Sequence, residues 1–506
     1  MSAATPAPIK FPRIPTLRTV ADFRAHIASL GLPLPCDDGI LAGPDSPLAH
    51  PLPGLRLNDK TPGNRWCIQP MEGWDAHTDG TPTVDVHRRW RRFGESGAKL
   101  IFGGEVMAIR PDGRANPNQL VIVPAHTAAL ANLRDDLVRA HRDRHGRVDD
   151  LVIGFQLTHS GRFCRPNEKK RFEPRVAFRH PLLDERFGVT SEAQVFSDDE
   201  LRPLVADFAR AARVAYEAGA DFVDIKHCHG YLLHEFLAAH TRPGPYGGPF
   251  ENRTRLLREI VAAIRADGNP IDLAVRLSAF DLVPFRPDPA RSQPGPLGPG
   301  IPVDYSGWLP YRYAFGAVPE RPEESDLTEA IAFARLCAEL GIKILNLTAG
   351  SPYYNPHIQR PAAYPPSDGY QPPEDPLVGV ARQMVATREI RRRLHADLAP
   401  GLTPPALVGT AYSYLQEYLP HVAQAAVRDG WTDFVGLGRM VLSYPELPAD
   451  ALSQGSLQPR LICRTFSDCT TAPRNGLVSG CYPLDDAYKS RPEARQLREI
   501  KRGNAS

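Results

Sequence analysis

Eight short apolar runs recur along the chain, each followed by a longer stretch of helical periodicity, and this rhythm limits the possible folds most severely. The runs are 66–70, 99–102, 151–157, 222–226, 273–277, 343–347, 406–409 and 434–437. The helical stretches fall near 84–96, 127–145, 198–218, 250–266, 326–340, 376–396, 413–429 and 445–453. Strands that alternate with helices pair in parallel, because each crossover helix carries the chain back to the same end of the sheet. Eight such units predict closure into an α/β (β/α)8 barrel, although an open doubly wound sheet has the same alternation. Ahead of the rhythm, residues 1–62 form an N-terminal extension with one helix, near 20–30. Residues 63–455 form the barrel, and 456–506 a C-terminal tail. Proline is abundant, with 52 residues clustered at 283–324 and 352–376. Those stretches read as long loop insertions, since proline can continue neither a helix nor a central strand.

Charge and composition exclude several classes of partner. The 60 basic and 58 acidic residues leave a net charge of +2, so no electrostatic footprint for nucleic acid is present. The densest basic run, RRWRRF, lies on a predicted helix and reads as its solvated face. No apolar run reaches the ~18 residues of a membrane span. The opening MSAATPAPIKFPRIP has no apolar core of a secretory leader. Eight cysteines without paired spacing fit a reducing compartment, so the expected location is cytoplasmic. Self-association is left open.

In a barrel of this kind chemistry gathers at the carboxyl ends of the strands. Those ends are rich here: Pro70-Met71-Glu72, Gly103-Gly104-Glu105, Gln156, Arg276, Gly409 and Gly438-Arg439. The fourth run is the densest. Val223 and Ile225 alternate with Asp224 and Lys226, so the apolar pair should face the helices and the ionisable pair the barrel axis. It continues into His227, Cys228, His229, Gly230 and Tyr231. Zinc is not expected there, because neighbours at a strand end diverge and cannot meet on one ion. The turn at 436–441, GLGRMV, is no dinucleotide fingerprint, since neither a βαβ unit nor a later acidic residue follows it.

Two motifs in register, His229-Gly230-Tyr231-Leu232 and then Tyr246-Gly247-Gly248-Pro249-Phe250-Glu251-Asn252-Arg253, resemble the old yellow enzyme family of flavin oxidoreductases. The likeness extends over about 63–450 through Pro70-Met71, 100–104, 156–162, 275–278, Val408-Gly409 and 437–439. It implies FMN across the barrel mouth, with NAD(P)H as reductant and a small molecule carrying an activated double bond as oxidant. It also implies cofactor contacts from Pro70, Met71, Gly104, Gln156, Arg276, Gly409, Gly438 and Arg439. Gln156 would bond the pyrimidine ring, Arg276 would sit beside N1 and O2, and Gly409, Gly438 and Arg439 would hold the phosphate. Tyr231 would be the proton donor, with Lys226 and His229 binding the substrate oxygen.

Three departures from the family stand out. Lys226 replaces the usual histidine, with Asp224 as its expected partner. This lysine also allows a Schiff-base lyase, while the fold by itself allows an amine or alcohol dehydrogenase. Glu72 replaces a small hydroxyl or thiol residue. A carboxylate there must turn away, be protonated or lower the flavin potential. The tail resembles the cluster-binding segment of the 2,4-dienoyl-CoA reductase branch, with Cys463, Cys469 and Cys481 present and Phe466 at the second ligand position. A four-iron cluster takes four thiolates, so no metal is expected.

Overall fold

All eight apolar runs become strands, and their pairing returns on itself. They are β1 (Trp66–Ile68), β2 (Leu100–Ile101), β3 (Val152–Thr158), β4 (Phe222–Ile225), β5 (Asp272–Ser278), β6 (Ile344–Thr348), β7 (Ala406–Gly409) and β8 (Phe434–Leu437). Each pairs in parallel with the next, and β8 pairs with β1. The result is a (β/α)8 barrel. The computed structural model describes residues 11–292 and 297–503. The first ten residues, on which the reading of a leader rests, lie outside them. Among the described residues no helix is long and apolar enough to cross a membrane.

Alternation along the strands sorts the barrel interior into layers. Leu100, Val152, Phe222, Ile344 and Phe434 point inward low in the barrel and are fully buried. Leu55 and Leu57 of the N-terminal segment pack against them and plug the floor. One pleat higher the interior turns polar. Gln69 and Asn346 exchange two side-chain hydrogen bonds, at 3.0 and 2.6 Å. Gln156 donates through Nε2 to Asp224 Oδ2. Val223 and Ile225 face outward into the core shared with the helices, as the alternation predicts.

Several elements differ from expectation. β2 is interrupted and resumes as Val106–Ala108, pairing with the upper half of β3. The break falls at Gly104, with φ +56°, where a Cβ would lie 2.8 Å from the Trp90 ring. The predicted helix 250–266 is two helices, Phe250–Arg253 and Arg255–Ala266. That predicted at 413–429 begins as a 3-10 turn, Tyr412–Tyr418, before Leu419–Arg428. The first proline-rich insertion is not only loop. It carries two antiparallel ribbons, Phe285–Pro287 with Gly300–Pro302 and Ala317–Val318 with Arg321–Ser325. Proline is tolerated there because each is a two-stranded edge, not a central strand.

The N-terminal segment is tied to the barrel by a buried carboxylate. Asp221 accepts from Ile153 N at 2.9 Å and from Asn58 Nδ2 at 2.9 Å, and it pairs with Lys60 Nζ at 2.8 Å. Removing it would strand the ammonium and the two amide donors. Asp221→Ala is expected to cost about 3–5 kcal/mol, as breaking a buried pair does. The readout is a lower urea midpoint at unchanged slope.

Candidate active site

The chain turns sharply where β4 ends. His229 has φ +65° and Gly230 φ +76°, so two successive residues adopt the left-handed conformation. For histidine that conformation costs roughly 1–2 kcal/mol. The turn is held by the His229 N–H, which donates to Ser278 Oγ of β5 at 2.9 Å. This turn brings Lys226, His229 and Tyr231 to the wall of one pocket at the barrel mouth.

Lys226 has a partner other than the expected one. Asp224 accepts from Gln156 and from the Arg276 backbone N–H at 2.6 Å, so its oxygens are directed into the barrel. The Lys226 ammonium lies 3.5 Å from Glu72 Oε2 and 3.3 Å from the centre of the Tyr231 ring. Tyr231 Oη donates to the same Glu72 oxygen at 2.9 Å and lies 3.0 Å from Tyr353 Oη. Glu72 therefore does not turn away, and it sits at the centre of this group. His229 Nε2 lies 3.3 Å from Thr348 Oγ1. Burial, and then the Arg276 and Lys226 charges, push the His229 pKa well below the usual histidine range, so its imidazole is neutral. Burial, followed by the Glu72 charge, pushes the Tyr231 phenol well above its usual value.

The pocket floor is polar and rigid. Gln156 is fully buried, and because its Nε2 is bonded to Asp224, its Oε1 has no partner among the described residues. Arg276 donates through Nη1 to Pro70 O at 3.2 Å, and its buried Nε also has no partner among the described residues. Burial pushes Asp224 up to about 7, opposed by the Gln156 hydrogen bond and the Arg276 charge. Glu105, also on the wall, is pushed up to about 7 by burial against the pull of Arg89.

At the other end of the pocket three guanidiniums gather. Arg439, which follows β8, donates to Thr470 Oγ1 of the tail. Removal from water, and then the Arg360 charge, lower its pKa to about 10, and Arg474 adds to the effect. Arg360 and Arg474 line the same space. Pro70, Met71, Gln156, Arg276, Gly438 and Arg439 all reach the pocket, but Gly104 and Gly409 do not. Gly104 makes room for Trp90, and the Gly409 N–H donates to Thr432 Oγ1 at 2.9 Å. Sequence reasoning missed Tyr353, Arg360 and Arg474, which a proline-rich loop and the tail supply. Their only local signal is their residue type.

None of the three tail cysteines is in a disulfide. Cys463 and Cys481 are buried, and Cys469 is on the pocket wall within electrostatic reach of both. Among the described residues, no group of three or more His, Cys, Asp or Glu side chains is placed to hold a metal ion. Phe466 stacks on Tyr364, with ring centres 6.0 Å apart.

Sequence comparison places part of this chain. Residues 53–288 match the NADH:flavin oxidoreductase / NADH oxidase family. An NADPH dehydrogenase of Bacillus subtilis is 34% identical over 236 residues, which are 45% of this chain and 63% of the Bacillus protein. Among solved structures, a 2-naphthoyl-CoA reductase superposes with a TM-score of 0.60 at 17% identity, covering 89% of this chain and 57% of that one. An old yellow enzyme homologue from Zymomonas mobilis gives 0.51 at 23% identity, covering 80% of this chain and 91% of its own. These two likenesses concern the fold.

The family implies FMN with NAD(P)H as reductant, and the pocket's chemistry fits FMN. Gln156 Oε1 is a lone acceptor and Arg276 Nε a lone donor, the pair a flavin pyrimidine edge requires. Arg439, Arg360 and Arg474 would hold the phosphate. Arg439→Ala is expected to weaken FMN binding to the apoprotein by roughly tenfold to a hundredfold. That is the ~1.5–3 kcal/mol of one charge-assisted hydrogen bond, and quenching of FMN fluorescence on titration reads it.

Proposed function

We propose that this chain is an FMN-dependent NAD(P)H oxidoreductase that reduces a carbon–carbon double bond conjugated to a carbonyl or similar electron-withdrawing group. The observation that carries this reading is the convergence of Lys226, His229 and Tyr231 on the pocket that Gln156 and Arg276 floor. FMN, when bound, supplies a ring that accepts hydride from a nicotinamide and passes it on to a second substrate.

The protein's own groups do the rest. Lys226 Nζ and His229 Nε2 bind the activating oxygen of the substrate and stabilise the negative charge that grows there. A lysine gives up to three donors and a full charge, and the neutral imidazole gives one donor without adding a second cation. Tyr231 holds the proton that the α-carbon takes. The Arg276 guanidinium at the floor favours negative charge in the ring beside it. The contacts of Lys226, a carboxylate and an aromatic face, are those an ammonium makes. A Schiff-base lyase needs the free amine instead.

Purified protein is expected to be yellow, with one FMN per chain. Tyr231→Phe should leave flavin reduction by NAD(P)H nearly unchanged, because that half-reaction needs no such proton. It should slow reoxidation by an enone by ~10²–10⁴, the usual contribution of a placed general acid. Rapid mixing separates the two. A chain that neither holds nor takes up FMN, or that borohydride cross-links at Lys226 to a carbonyl substrate without flavin, contradicts the proposal.

A further inference from the structure

We infer that Glu72 is a proton switch for Tyr231: ionised, it locks the phenol, and protonated, it releases the phenol to the substrate and then replaces its proton. The inference rests on the reading of Tyr231 as the proton donor.

The argument begins with donor counting. A phenol has one proton to give. Among the described residues Tyr231 Oη has two partners, Glu72 Oε2 at 2.9 Å and Tyr353 Oη at 3.0 Å. An ionised carboxylate only accepts. With Glu72 ionised, the Tyr231 proton must point at Glu72, and Tyr353 must donate to Tyr231. No proton then faces the pocket. With Glu72 protonated, the order reverses: its O–H donates to Tyr231, and the phenol proton is free to turn to a substrate carbon.

Charge works in the same direction. The Glu72 charge is among the causes that push the Tyr231 phenol up, so an ionised Glu72 makes Tyr231 a weaker acid. A protonated Glu72 removes that repulsion and offers the departing phenolate a donor. Lys226, over the ring, stabilises the same phenolate.

The proton count closes. The Tyr231 O–H bond breaks as the α-carbon–hydrogen bond forms, which leaves a phenolate. The Glu72 O–H bond then breaks as the Tyr231 O–H bond forms again. Carboxylic acids are stronger than phenols by about six pKa units in reference compounds, so this transfer runs downhill. Glu72 regains its proton from water, and its side chain retains 17% exposure through which to do so. Its other oxygen, Oε1, is buried with no hydrogen-bond partner among the described residues.

Other titratable groups face Glu72. They are Lys226, Cys228 and Tyr231 from the end of β4, Tyr353 from the loop after β6, and Glu105 from the segment after β2. Among the described residues, only Tyr231 and Lys226 bond to its carboxylate. Glu105 is bonded to Arg89.

The test is the pH profile of flavin reoxidation by an enone, followed by rapid mixing in wild type, Glu72→Gln and Glu72→Met. In wild type the rate should fall about tenfold per pH unit along the limb where Glu72 loses its proton. Both variants should lose that limb and exceed the wild-type rate by at least about tenfold on its alkaline side. A second readout needs no turnover. Ultraviolet titration of tyrosinate, taken as the difference from Tyr231→Phe in the same background, should show Tyr231 ionising at lower pH when residue 72 carries no charge. Variants that keep the limb, or a Tyr231 titration that does not move, overturn the proposal. If wild type fails to react with NAD(P)H or any enone, the proposed function fails, and the tyrosinate titration still judges the switch.

Discussion

Asp224 is the interaction on which the mouth of this barrel depends. It has no exposure to solvent, yet it is a carboxylate held on both oxygens. One oxygen takes the Gln156 amide and the other takes the backbone N–H of Arg276. Those bonds fix which end of the amide faces the pocket, and they lock β3, β4 and β5 in one register. Burial alone would leave the acid protonated, and it is pushed up to about 7. The two hydrogen bonds and the Arg276 charge oppose that shift. A single buried acid thus orients the acceptor and steadies the donor that a flavin ring would meet.

Above that floor the site is a balance between cations and one displaced acid. Lys226, Arg276 and the three guanidiniums at the far end make the pocket strongly positive. Glu72 enters from the end of β1 and takes the ammonium and the phenol together. This arrangement makes Lys226 a partnered cation instead of an isolated buried charge, which would be costly. It also means that a substrate oxygen bound as proposed must compete with a protein carboxylate for the Lys226 ammonium. Only strongly accepting oxygens, those that gain negative charge during reaction, win such a competition.

Most of the scaffold was legible in the chain, because period-2 and period-3.6 patterns survive in every strand and helix of a barrel. The polar inner face of β4 could likewise be read from Asp224 and Lys226. What could not be read depends on contacts across the barrel. Asp224 stands two residues from Lys226, but residues at that separation on a strand are ~7 Å apart. The groups nearest in space come from β1 and from the loop after β6. Gly104 and Gly409 show contacts that sequence alone could not reveal. Glycine at a strand end suits a close ligand, yet here one admits Trp90 and the other presents its N–H to Thr432. Arg360 and Arg474 were illegible because neither the proline-rich loop nor the tail has a periodicity that fixes its position.

The tail has a role beyond packing. Thr470, Arg474 and Ser479 form part of the pocket wall. The segment that carries them is clamped to the first barrel helix, Val84–Gly94, by Arg88 with Asp485 at 2.9 Å and by Arg491 with Asp85. Arg89, on the same helix, donates to Ser479 O at 3.3 Å. A wall made of a separately docked segment couples two equilibria, occupancy of the pocket and docking of the tail. Whatever fills the pocket favours the docked tail, and by reciprocity a docked tail raises affinity for whatever fills it. Local undocking of such a segment costs less than opening a closed sheet, so this wall can part while the barrel stays intact.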